Sequence, residues 1–206
     1  MMNLYLSQIV LDPRSPLVRA ILANPYELHR TLLKAFPEHL PESERVLYRL
    51  EAYSQNPDLL VLVQSQTLPD WVYLETGGLV LQASRVKRFA PKFHVGQVLT
   101  FCLLANPTKR LKQNGKRIGL DEERDQLQWL ERKANYGGFD LVKAVAQQQG
   151  MISGVKFLES QEYTLRHYGV LYRGELMIND IEIFMQTIQY GIGSAKGFGF
   201  GMLSVA

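Results

Sequence analysis

Phe89-Ala-Pro-Lys-Phe-His-Val-Gly-Gln97 divides the chain. Pro91 and Gly96 interrupt the periodicity there, because proline lacks a ladder donor and glycine loosens the backbone. On either side of the break the hydrophobic pattern runs through the same order of elements. Upstream, Asn3-Leu-Tyr-Leu-Ser-Gln-Ile-Val-Leu11 alternates with the period of a strand. Residues 25–36 carry helical spacing. Residues 45–53 and 58–65 read as two strands joined through Asn56-Pro57-Asp58. Pro69-Asp-Trp-Val-Tyr-Leu74 reads as a stub of helix, and 79–88, after Gly77-Gly78, as a further strand. Downstream, 97–105 reads as a strand and is followed by a basic loop. A helix then covers about 121–136, with Leu127, Leu130 and Ala134 on one face, and Gly137-Gly138 ends it. Strands at about 139–146, 151–160 and 168–178 follow, then a helix capped by Asn179 or Asp180 and running to about 190. A glycine-rich loop and a short strand from Gly201 to Val205 close the pattern. Two successive β-α-β-β-α-β units fit this order. They predict an α+β chain of two tandem ferredoxin-like domains, 1–92 and 97–206.

The 206 residues are 46% apolar and 21% charged, enough to bury a core and unlike a disordered chain. The single cysteine, Cys102, lies in the apolar run Val98–Ala105, which excludes an internal disulfide framework and a cysteine-based zinc site. No apolar run approaches the ~18–20 residues of a membrane span. Met1-Met-Asn-Leu-Tyr-Leu-Ser-Gln8 has neither a basic n-region nor a long apolar h-region, so no signal peptide is expected. These features predict a soluble protein of a reducing compartment.

The net charge is only +3, from 23 basic and 20 acidic residues, but it is segregated. Residues 109–117 hold Lys109, Arg110, Lys112, Lys116 and Arg117 without an acid, and 85–94 hold Arg85, Lys87, Arg88, Lys92 and His94, also without one. Such patches attract phosphate while the whole stays near neutral. They are equally what solvated loop faces look like.

Asn24-Pro-Tyr-Glu-Leu-His-Arg30 specifies a helix start. Asn24 suits the N-cap, Pro25 the first helical position, and Glu27 the third, where it can complete a capping box. Tyr26 and His29 then lie three residues apart on neighbouring faces. The positive end of the helix dipole disfavours protonation of His29, which suits a neutral general base. Tyr26 suits positioning of a phosphate or a ribose hydroxyl. A packing role explains both residues as simply. Lys34 stands roughly 140° around the helix from His29 and nearer the face of Tyr26.

Gly191-Ile-Gly-Ser-Ala-Lys-Gly-Phe-Gly-Phe-Gly201 places Gly191, Gly193, Gly197, Gly199 and Gly201 around Lys196. A loop of this kind brings backbone N–H groups and a lysine close to phosphate. It follows a helix and leads into a strand, so it is neither a dinucleotide fingerprint nor a P-loop. A plain glycine turn is the competing explanation. His39, His94 and His167 show no ligand spacing, and no metal site is expected. Trp71 and Trp129 read as core residues. Phe198 and Phe200 suit base stacking, though core packing is the simpler reading.

Taken together, these blocks resemble the CasE family of CRISPR repeat-RNA endoribonucleases of the type I-E system, within the repeat-associated mysterious protein superfamily. The resemblance rests on Leu4-Tyr-Leu-Ser7, Pro25-Tyr-Glu-Leu-His-Arg-Thr-Leu32, Leu104-Ala-Asn-Pro-Thr-Lys109, Gly115-Lys-Arg117, Trp129-Leu-Glu-Arg-Lys133 and Gly191–Ser204, in order along nearly the whole chain. It implies tandem ferredoxin-like domains. It also implies metal-independent cleavage of the repeat at the 3′ base of its stem-loop, by attack of the RNA's own 2′-OH. The enzyme would stay on the guide RNA as a subunit of Cascade, in the cytoplasm of a prokaryote, with no small-molecule cofactor and no membrane contact. His29 matches the family's catalytic histidine and Tyr26 its neighbouring tyrosine. Lys34 matches a position where some members carry an active-site lysine. Arg30, the 109–117 cluster, Arg132, Lys133, Lys156, Arg166 and Lys196 are the expected RNA contacts. One departure stands out: some relatives carry a basic hairpin in the second domain, and 150–170 here offers only Lys156, Arg166 and His167. The competing functions are a non-catalytic hairpin-binding subunit on the same fold and a ferredoxin-like domain that binds a small regulatory molecule.

Overall fold

The structure is a computed structural model and describes residues 4–52, 59–158 and 161–206. The expected turn at Asn56-Pro57-Asp58 and the far end of the expected 151–160 strand lie outside the described residues. The chain forms two compact units. The first comprises Met1–Pro91, Gly154–Leu165 and Gly197–Gly199, and the second Lys92–Ser153, Arg166–Lys196 and Phe200–Ala206.

In the first unit the order is β1 (Leu4–Leu11), α1 (Pro16–Leu22), α2 (Pro25–Leu33), β2 (Leu47–Ala52), β3 (Leu59–Ser65), α3 (Val72–Thr76) and β4 (Arg85–Phe89). The strands stand in the order β2-β3-β1-β4, and the β1–β3, β2–β3 and β1–β4 pairs are antiparallel. One face buries Ile9, Leu11, Tyr48, Val61 and Val63 against Val18, Leu28 and Leu32 of the helices, with Trp71 and Leu74. Each fully buried aliphatic side chain here is worth roughly 1.5–3 kcal/mol. Trp71 completes its polar end by donating from Nε1 to Ser7 Oγ at 3.0 Å.

The second unit holds β5 (Val98–Ala105), a small hairpin of β6 (Thr108–Arg110) and β7 (Arg117–Gly119), and α4 (Glu123–Asn135). It continues with β8 (Phe139–Leu158), β9 (Gln161–Ile178), α5 (Ile181–Tyr190), a 3₁₀ turn over Lys196–Phe198 and β10 (Leu203–Val205). Its sheet order, β10-β5-β9-β8, is the same permutation as in the first sheet. Two tandem ferredoxin-like folds account for both sheets. Leu103, Leu130, Phe139, Tyr172, Leu176, Phe184 and Phe200 are all but fully buried.

Local signals misled in four places. Helix α1 is absent from the expected pattern; Ser15 caps it and Pro16 takes the first position. The stretch 79–88 is mostly not a strand: Val80 makes an isolated bridge to Leu11, and the ladder resumes only at Arg85. Between them Ser84 N–H donates to the Glu75 carboxylate at 2.8 Å, which turns the chain away. The basic loop is a hairpin, closed by Leu111 N–H to Lys116 O at 2.8 Å. Residues 139–146 and 151–158 are one continuous strand, and Gly150 (φ 79°) sits inside it without breaking it. Arg85, Lys87 and Arg88 lie exposed on β4, at the edge of the first sheet, as the solvated-face reading has them. Charges there block edge-to-edge pairing, which is sufficient reason for them.

Candidate functional site

Helix α2 begins as its sequence dictates. Asn24 is extended (φ −133°, ψ 103°), and its Oδ1 accepts the N–H of Tyr26 at 3.2 Å. The expected capping box is absent. Glu27 accepts from Arg30 Nη1 at 3.2 Å, and the N–H of Asn24 donates to Ile21 O at 3.3 Å, since the end of α1 supplies a carbonyl first.

Asn24 does a second job that the sequence does not reveal. Its Nδ2 donates to Val155 O at 2.8 Å while its Oδ1 accepts from Val155 N at 3.2 Å, so one amide side chain pairs with both backbone groups of Val155 in β8. Gly154 permits this approach, because a Cβ there would fall 2.8 Å from Asn24 Oδ1 and 2.6 Å from Phe198 Cε1. Asn24→Ala removes a cap worth about 1 kcal/mol and leaves a peptide group unpaired at a further ~1–3 kcal/mol. Urea unfolding is expected to register a loss of about 2–4 kcal/mol.

His29 lies one turn beyond this cap. Its ring stacks on the buried ring of Tyr48, with centroids 5.9 Å apart and planes at 14°. The Cα side of Gly197 faces the imidazole edge, and a Cβ there would stand 3.2 Å from His29 Cδ2. Nδ1 is buried and meets no hydrogen-bond partner among the described residues. Burial holds the imidazole below its ordinary value of 6.5.

This shift makes a stability prediction. The unfolded chain takes up the proton near pH 6.5 and the folded chain resists it, so stability is complete above that pH and falls as pH drops toward the folded midpoint. Burial lowers His167 in the same way. Urea unfolding between about pH 7 and 5 is expected to show this slope, and His29→Gln to remove the part of it due to His29, with the His167 part retained.

Tyr26, at the second helical position, carries the Lys156 ammonium over its ring at 5.6 Å from the centroid. These two expected site residues therefore meet. Lys34 is at the C-cap of α2 and lines a groove with Glu27, Arg30 and Phe36. Among the described residues no hydrogen bond, ion pair or ring contact joins it to His29.

The glycine loop is a chain of left-handed turns: Gly191, Gly193, Gly199 and Gly201 have φ of 70°, 85°, 81° and 91°, and Ala195 has 61°. Gly197 makes its close approach to His29, and Gly199 packs on Tyr48, where a Cβ would lie 3.1 Å from Cε2. Lys196 turns inward and donates to Gly193 O at 2.8 Å. Phe198 and Phe200 are buried, which assigns them to the core rather than to stacking on bases.

In the second unit Arg110, Lys112, Lys116 and Arg117 project into solvent from the β6–β7 hairpin. Lys109 pairs with Asp125 at 3.3 Å, and Lys133 sits 5.8 Å over the Trp129 ring in the last turn of α4, which also carries exposed Arg132. Arg166 is exposed on β9, next to His167, whose Nδ1 is 3.2 Å from Asn106 Nδ2. The residue that sequence reasoning missed is Tyr48. It is one more aromatic at a strand's period, and no local signal marks it.

Among the described residues, no group of three or more His, Cys, Asp or Glu side chains is set to hold a metal ion, and no helix is long and apolar enough to cross a membrane.

A family profile described as CRISPR associated protein matches residues 4–206. The chain is 40% identical over 212 residues to the CRISPR-associated endoribonuclease Cse3 of Thermus thermophilus, covering 98% of this chain and all of that protein. It is 28% identical over 215 residues to the CRISPR system Cascade subunit CasE of Escherichia coli, covering 98% and 99%. A solved structure of Cse3 bound to a 19-nucleotide RNA superimposes with a TM-score of 0.89 at 38% identity, over 99% of both chains. The match runs nearly end to end, and the chain belongs to the CasE (Cse3) family of CRISPR-associated proteins.

Proposed function

We propose that this protein is the endoribonuclease that binds the stem-loop of the CRISPR repeat in precursor RNA and cuts at the 3′ base of the stem. The observation that carries the reading is His29: a histidine kept neutral by burial, with Nδ1 enclosed, in the middle of α2 and against Gly197, its Nε2 being the proposed proton acceptor. The alignment of the whole chain with a protein named an endoribonuclease supports it.

The chemistry is internal transesterification. A base takes the proton of the 2′-OH, O2′ bonds to the adjacent phosphorus, the P–O5′ bond breaks, and the departing O5′ takes a proton. The products are a 2′,3′-cyclic phosphate and a 5′-OH. His29 is the proposed base, with Tyr26 positioning the scissile phosphate. Lys34, at the end of α2, supplies positive charge to RNA that wraps the helix end.

Duplex RNA offers mainly its shape and its phosphates. Arg30, Lys109, Arg110, Lys112, Lys116, Arg117, Arg132, Lys133, Lys156 and Arg166 are the proposed phosphate contacts, and Lys196 on the glycine loop completes the set. Removing Arg110, Lys112, Lys116 and Arg117 together is expected to weaken hairpin binding and flatten its salt dependence by roughly 0.7–0.9 in log–log slope for each lost contact. Titrations at several salt concentrations read this directly. The protein is proposed to remain on the guide RNA in the Cascade complex, in the bacterial cytoplasm.

The test is incubation of end-labelled repeat hairpins with the protein in EDTA. A single cut at the 3′ foot of the stem, leaving a cyclic phosphate, is expected. Tight binding that leaves every tested repeat whole would replace this reading with that of a non-catalytic subunit.

A further inference from the structure

Tyr48 is buried near the start of β2, on the strand face that packs against α2. Three contacts converge on it. Its ring is the surface on which the His29 imidazole lies. Its hydroxyl stands 2.9 Å from Pro25 O and 3.2 Å from Gly197 O, and these two carbonyls share its one proton. Gly199, at φ 81°, lies close to the ring edge. In an α-helix the carbonyl of residue 25 also accepts the N–H of residue 29, so the hydroxyl grips the peptide from which the histidine is hung. At its other acceptor it grips Gly197, the residue facing the imidazole edge.

His29 needs such support. A histidine that works in catalysis is usually oriented by a hydrogen bond to its second ring nitrogen. Here Nδ1 is buried with no partner among the described residues, so packing must set the plane of the ring and the direction of Nε2. Burial pushes the Tyr48 phenol far above its ordinary range, so it remains a neutral donor at any pH at which the protein works.

We propose that Tyr48 is a positioning residue of the cleavage site. Its ring sets the plane of His29, and its hydroxyl fixes the spacing between the start of α2 and the glycine loop. The inference rests on His29 being the reacting group. It differs from a purely structural role because a misaimed Nε2 slows the chemical step without weakening RNA binding.

The test uses two variants of the full chain. Tyr48→Phe keeps the platform and loses the hydroxyl. Single-turnover cleavage at saturating protein is expected to fall at least about tenfold, with hairpin affinity within about twofold of wild type and cooperative thermal unfolding retained. Tyr48→Leu removes the platform. The titration midpoint of His29, followed by NMR of the imidazole carbons, is expected to rise toward 6.5 in this variant and to stay at its wild-type position in Tyr48→Phe. A wild-type cleavage rate in Tyr48→Phe overturns the proposal, as does a rate loss matched by an equal loss of RNA affinity or by the fraction of protein unfolded. An unmoved His29 midpoint in Tyr48→Leu also overturns it. If the wild-type protein itself leaves repeat RNA whole, the nuclease reading fails, and the His29 titration alone then decides whether Tyr48 positions the ring.

Discussion

His29→Ala is expected to lower single-turnover cleavage of the repeat hairpin by about 10³-fold, roughly 4 kcal/mol in the barrier. Hairpin affinity is expected to stay within about threefold, because the proposed phosphate contacts are the basic residues and burial disfavours a charge on His29. The same neutrality sets the pH profile. A base of ordinary pKa would lose activity below pH 6.5, whereas burial moves the acid limb of the cleavage profile lower. A variant that binds and cuts like wild type would remove His29 from the chemistry and return it to the role of a packing residue on Tyr48.

The second large effect concerns stability. Arg49 and Glu51 sit on β2, on the opposite side of the strand from Tyr48, with side chains only 4% and 10% exposed. Arg49 Nε donates to Glu51 Oε1 at 2.6 Å, and Nη2 reaches the same oxygen. Arg49→Met leaves a carboxylate buried without its cation and is expected to cost about 3–5 kcal/mol. The double replacement Arg49→Met with Glu51→Leu is expected to recover most of that, since an apolar pair of similar volume removes the desolvation cost of both charges. Urea unfolding of the two variants measures the difference. Equal losses in the single and double variants would show that the pair itself is net stabilising.

Local chemistry and periodicity are legible in this sequence; long-range pairings are not. The start of α2 is local chemistry: Asn24 and Pro25 identify the cap and the first turn, and the positions of Tyr26 and His29 follow from them. The two β-α-β-β-α-β patterns are likewise legible, because each strand and helix carries its own period. Pairings across long stretches of chain are not. Asn24 with Val155, Tyr48 with Gly197 and Lys156 with Tyr26 each join residues more than a hundred positions apart. Nothing local distinguishes Tyr48 from Tyr5 or Tyr73. The continuity of β8 through Gly150 depends on a partner strand that holds the backbone in place, and the capping box is lost because the end of α1 offers Asn24 a carbonyl that the sequence does not advertise.

Attack by the RNA's own 2′-hydroxyl is the central step of the proposed cleavage. The most direct measurement gives the wild-type protein a repeat hairpin carrying a single 2′-deoxy nucleotide 5′ to the scissile phosphate, beside the all-ribose hairpin, in EDTA. The expected result is equal binding of the two RNAs, one cut in the ribose hairpin with a cyclic phosphate end, and no cut in the deoxy hairpin. Cleavage of the deoxy hairpin at the same position would contradict the account, because the attacking oxygen would then have to come from water.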